Sequence, residues 1–175
     1  MALILPYNGI LPRWAEECFI APNATITGDV VMGHHCSVWF NAVIRGDANS
    51  IRIGNYTNIQ DAAVLHGSSQ EVPTIIGSHV SIGHQAMIHG CTIEDDVLIG
   101  MGAIILDNAV VGKGSLVGAG SVVTERSVLE PGWLYAGIPA RKIKPIDEDR
   151  KEIMKRTVLR YPEYGKQYLM TEEVR

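Results

Sequence analysis

Four of the six histidines of this 175-residue chain fall between His66 and His89, at positions 66, 79, 84 and 89. Imidazole is the commonest protein ligand for transition metals near neutral pH. Three neutral imidazoles on one ion leave a fourth position for water, which is the arrangement catalytic zinc requires. Water bound in that way ionises with a pKa of about 7 and so supplies hydroxide at neutral pH. His66, His84 and His89 are the candidate ligands. Whether they can share an ion depends on the elements that carry them.

Those elements repeat every six residues. Aliphatic anchors run through Ile20, Ile26, Met32, Val38 and Ile44, then Ile53, Ile59 and Leu65, then Ile76, Ile82 and Ile88, and finally from Ile93 in sixes to Leu129. Four positions after an anchor comes a small or β-branched residue, as at Cys36, Ala42, Ala63, Ala86, Ala103 and Ser115. A helix has a period of about 3.6, so this double register predicts a parallel β-solenoid with three short sides to a coil. Anchors three apart then stack about 4.8 Å from one another. Ile44, Leu65 and Ile88 stack in this way, so the residues after them, Arg45, His66 and His89, form one outward column. Asp61 and His84 follow Ile59 and Ile82 by two positions and form a second column on another side. One solenoid cannot turn both columns to the same point. If the three histidines share a metal, His84 comes from a neighbouring chain, and a cyclic trimer closes the arrangement. His34, His35 and His79 join neither column and read as surface residues.

The period also breaks where the chemistry lies. The step from Ile44 to Ile53 is nine residues, from Leu65 to Ile76 eleven, and from Ile88 to Ile93 five. Each break follows a candidate residue, as irregular backbone beside binding sites often does. Ile53 rather than Ile51 is taken as the anchor because Gly54 follows it and the later phase agrees.

Around the repeat, residues 1–19 are expected to be irregular, 20–140 to form the solenoid, and 141–175 to form a helical tail that covers one of its sides. Asp147, Glu148 and Asp149 suit a helix N-terminus. Pro162 is expected to end that helix and begin another. A formal charge of −4 and a pI near 5.8 argue against nucleic acid and anionic membranes as partners. The N-terminus has no basic segment and is interrupted by Pro6, and no apolar run approaches ~18 residues, so neither a signal peptide nor a span is expected. The three cysteines, Cys18, Cys36 and Cys91, contain no CxxC pair and read as reduced thiols of a cytoplasmic protein. Cys91 reads as a packing residue rather than a fourth ligand.

Arg45-Gly46-Asp47, Asn58-Ile59-Gln60-Asp61, His66, Gly83-His84 and Ile88-His89-Gly90-Cys91 together resemble the γ-class carbonic anhydrases, over roughly residues 10–170. The resemblance implies a left-handed β-helix, a homotrimer, and a metal, usually zinc, on His66, His84 and His89. It places Arg45, Asp47, Gln60 and Asp61 around that metal, with Tyr161 at a place where some relatives bring a tyrosine to it. The implied substrate is carbon dioxide, hydrated to bicarbonate, with Gln60 orienting the hydroxide and Arg45 helping to hold the anion. Cobalt or iron would also suit three imidazoles. Two departures put fast proton export in doubt. Ala48 stands where the family archetype has a glutamate, and the loop after His66 carries only Glu71 as an acid.

Three other readings stay open. An acyltransferase on the same scaffold leaves the aligned histidines unexplained. A metal-binding protein without catalysis, or an ester or thioester hydrolase, would keep the site.

Overall fold

A computed structural model describes residues 1–68 and 72–170. The hexapeptides wind into a left-handed parallel β-helix of about seven turns. Its first side stacks Ile20, Val38, Ile59, Ile82, Ile99, Val117 and Tyr135. The second stacks Ile26, Ile44, Leu65, Ile88, Ile105 and Val123. The third stacks Met32, Ile53, Ile76, Ile93, Val111 and Leu129. Ile53, not Ile51, keeps the register.

The anchors fill the interior, none more than 7% exposed except the half-buried Ile20 at the start. Burying each large aliphatic contributes about 1.5–3 kcal/mol relative to exposure. The small residue four places on, such as Ala63, Ala86, Ala103 or Ser115, is buried at a corner where a larger side chain would not fit.

Most corners turn on a left-handed residue three places after the anchor, including His35, Tyr56, Ala62, His79, Gln85, Asp96 and Asn108. The earlier coils of the second side depart from this rule, which Asn108 and Arg126 again obey after Ile105 and Val123. After Ile44 the chain remains one strand, Val43–Ile53, and runs beside the strand Thr25–Met32 with a register shift between Gly28 and Val30. Gly46 permits that contact, because a Cβ there would lie 2.7 Å from the Asp29 carbonyl oxygen. After Ile88 the left-handed residue is Gly90, two places on instead of three. All three broken steps thus begin on one side, after Ile44, Leu65 and Ile88.

The segment before the repeat is more ordered than its sequence suggested. Leu3–Leu5 and Arg13–Trp14 pair in parallel with the strand Thr25–Met32 and begin the stack. At the other end, Trp133–Ala136 adds a last rung and folds back antiparallel on Arg141–Pro145.

The tail is one helix, α1 (Glu148–Leu169), capped by Asp147, whose carboxylate accepts from the Arg150 amide at 2.9 Å. Pro162 lies inside α1 and does not divide it, contrary to the expectation from sequence. Proline removes one backbone hydrogen bond there, but packing on both flanks holds the helix together. Tyr161 meets Trp39 edge-on, Tyr168 packs on Phe19, Trp39 and Phe40, and Gly165 lies against Phe19. These contacts fasten α1 over the first side. Among the described residues, no helix is long and apolar enough to cross a membrane.

Candidate metal centre

On the second side, Arg45 pairs in register with His66, and His66 with His89. The column expected from the repeat is therefore present at the level of individual residues. The His66 Nδ1 and His89 Nε2 atoms face each other at 3.2 Å. On the far side of the His66 ring, Nε2 lies 3.0 Å from Asp47 Oδ1. Asp47 also accepts from Arg45 Nη1 at 2.6 Å and from the Ala48 amide at 2.8 Å. The far nitrogen of His89, Nδ1, contacts Asp107. One chain of contacts thus crosses four coils: Arg45, Asp47, His66, His89, Asp107.

Its chemistry follows from donor counting. A carboxylate only accepts, so Asp47 takes the Nε2 proton of His66, and Asp107 takes the Nδ1 proton of His89. Both facing nitrogens are left with lone pairs. Two lone pairs at that distance repel unless a proton or a cation lies between them. Two ligands of one tetrahedral zinc, each about 2.0–2.1 Å from it, would stand roughly 3.3–3.4 Å apart. The observed spacing fits.

The electrostatics favour a neutral His66. Burial, aided by the Arg45 and His89 charges, keeps the His66 imidazole below the ordinary histidine range in spite of Asp47. Burial would raise the Asp47 carboxyl, but hydrogen bonds from Arg45 and His66 outweigh it and hold it below the usual carboxylate range. Cys91 lies in the core behind the site, and burial pushes its thiol up to about 12. It is un-ionised at neutral pH and packs as a small apolar residue.

His84 stands elsewhere, after the strand Ser81–Ile82 on the first side. Its Nδ1 lies 2.8 Å from Asp61 Oδ2, which frees Nε2 in the same way. Both side chains are well exposed, at 44% and 40%. Tyr161 comes to this group from α1. Burial, with a contribution from Asp61, raises its phenol to about 12. Gln60 sits on the same side, buried, and donates through Nε2 to Asn58 Oδ1 at 3.0 Å. The predicted residues therefore fall into two groups: Arg45, Asp47, His66 and His89 on one side, and Gln60, Asp61, His84 and Tyr161 on the other. Among the described residues of one chain, no three His, Cys, Asp or Glu side chains form a complete metal site.

Arg45 and Asp61 each have a charged partner within the chain: Asp47 and His84. Glu71, the acid of the loop after His66, lies outside the described residues. His35 and His79 stack on the two faces of Tyr56, at 4.4 and 5.4 Å, on the corners that follow the third side, and belong to neither group. Asp107 is the residue that sequence reasoning missed.

Residues 90–125 match the bacterial transferase hexapeptide (six repeats) family. Over 173 residues, 99% of this chain, the sequence is 43% identical to a carbonic anhydrase from Geobacillus kaustophilus, covering 94% of that protein. The chain belongs to the γ-class carbonic anhydrase family. Among plant γ-class members, the mitochondrial gamma carbonic anhydrase 1 of Arabidopsis thaliana is 39% identical over 151 residues, which is 83% of this chain and 55% of that longer protein. A solved structure of a hexapeptide transferase family protein from Anaplasma phagocytophilum superposes with a TM-score of 0.91 at 37% identity, over 95% of this chain and 98% of that one.

Proposed function

We propose that the chain is a γ-type carbonic anhydrase, a homotrimer with one zinc centre at each subunit contact. The reaction is the reversible hydration of carbon dioxide to bicarbonate. The observation that carries this reading is the pair of facing lone-pair nitrogens, His66 Nδ1 and His89 Nε2 at 3.2 Å, each ring held from behind by a carboxylate. Such outer carboxylates fix the tautomer and orientation of metal-binding imidazoles. His66 and His89 of one chain and His84 of a neighbouring chain would hold the ion. Cobalt or iron would fit the same donors.

An ion held there supplies activation of water as a nucleophile at neutral pH. The other steps belong to side chains. Asp47, Asp107 and Asp61 keep the three imidazoles oriented, each with one nitrogen's lone pair free for the ion. Arg45 holds Asp47 and presents a half-exposed cation where the bicarbonate product would leave. From the His84 side, Gln60 would orient the attacking oxygen and Tyr161 would offer a phenol that stays protonated.

Ala48 offers no carboxyl next to Asp47, so proton export limits the rate. Protein purified without chelator is expected to carry about one zinc per chain. Stopped-flow hydration should then be measurable and should speed up with concentrated imidazole buffer. A chain that takes up neither zinc nor cobalt overturns the metal reading. Fully metallated protein with no hydration would leave a metal-binding protein that does not catalyse this reaction.

A further inference from the structure

We infer that Asp107 is the positioning residue of His89: its carboxylate selects the tautomer and ring setting that turn Nε2 towards His66. Its effect on metal affinity rests on the metal centre proposed above; its effect on the tautomer does not.

Three observations lead there. The first is the contact itself, from the Asp107 carboxylate to His89 Nδ1, on the ring edge away from His66. The free side chain of histidine favours the proton on Nε2, which would set an N–H where a ligand lone pair is needed. A carboxylate on Nδ1 reverses that preference.

The second is that the backbone makes room for the carboxylate. Gly90 follows His89 with φ of +50°. A Cβ at Gly90 would lie 2.5 Å from Asp107 Oδ1 and 3.0 Å from its Cγ. The carboxylate occupies the space that only glycine leaves open.

The third is the register. Ile88 pairs with Ile105, so His89 is one place and Asp107 two places after stacked anchors. Equal offsets stack directly; unequal ones meet where a coil leaves the six-residue step, either by running on, as between Asp47 and His66, or by turning early. The five-residue step from Ile88 to Ile93, with its corner at Gly90, is that early turn. An incidental surface ion pair would account for the contact but not for the shortened repeat or the glycine beneath it.

The test compares Asp107→Ala and Asp107→Asn with the wild type. In metal-free protein with 15N-labelled histidine at about pH 8, where imidazoles are neutral, wild-type His89 should carry its proton on Nδ1. In Asp107→Ala it should move to Nε2, while His84, which has its own carboxylate, stays unchanged as an internal control. Asp107→Asn keeps a carbonyl acceptor and should largely preserve the Nδ1–H form. Cobalt affinity should fall about 10- to 100-fold in Asp107→Ala and only a few-fold in Asp107→Asn. If Asp107→Ala does not fold, Gly90→Ala retains the carboxylate but displaces it, and should show the same tautomer change. Unchanged His89 protonation together with cobalt affinity within twofold of wild type overturns the assignment. If the wild type binds no metal, the metal-centre reading fails, and the tautomer measurement still decides the role of Asp107.

Discussion

Tyr161 shows how one side chain ties stability to the candidate site. Its phenol lies between Trp39 and Asp61, and burial first, then the Asp61 charge, raises its pKa to about 12. The ordinary value is about 10. The folded state therefore prefers the neutral form. That contribution is complete below about pH 10 and is lost as pH rises towards 12. Two pKa units correspond to about 2.7 kcal/mol, but the ring is only half-buried and solvent screening reduces this to the order of 1 kcal/mol. Tyr161→Phe should therefore lose stability less steeply than wild type between about pH 10 and 11.5. Urea midpoints at a series of pH values give the comparison, and parallel slopes would count against it. At this scale the sequence was read well where equal offsets from the anchors were enough, as for Arg45, His66 and His89. It was read poorly where offsets differ. Asp107 meets His89 only because the chain turns one residue early at Gly90, and a count in sixes does not register that turn.

Helix α1 illustrates the opposite limit, in which a correct local rule is overruled from a distance. Pro162 weakens the helix wherever it stands, yet Phe19, Trp39 and Phe40, more than a hundred residues away in sequence, hold both flanks against the solenoid. Gly165 is the close point of that contact, since a Cβ there would lie 2.6 Å from Phe19 Cβ. Gly165→Ala gains about 1 kcal/mol of helix propensity and costs about 1–3 kcal/mol in overpacking. The net expectation is a loss on the order of 1 kcal/mol, read as a lowered urea midpoint at neutral pH. A stabilised variant would show that α1 is free to shift outward. The solenoid itself was legible because its signal recurs eighteen times and every unit checks the next. A single helix with one proline offers no such check.

Across the whole molecule, the separation of His84 from the His66–His89 pair makes the strongest demand. His66→Ala and His84→Ala chains should each form trimers without complete centres. Mixed, they should regain zinc at contacts where an intact His84 meets an intact pair. Zinc per chain after co-refolding decides it, and no recovery despite proven subunit exchange would mean that the histidines are wrongly apportioned. The proposed sharing would also bear on which metal is acquired. An isolated chain offers two imidazole nitrogens, a chelate that copper holds more tightly than zinc does. In the proposed centre the third donor would arrive only with a second subunit, and it would favour an ion content with tetrahedral geometry. If the centre is shared as proposed, assembly would act as a timing device: selection among competing ions would be postponed until the quaternary structure exists, and an unassembled chain would remain a weak trap.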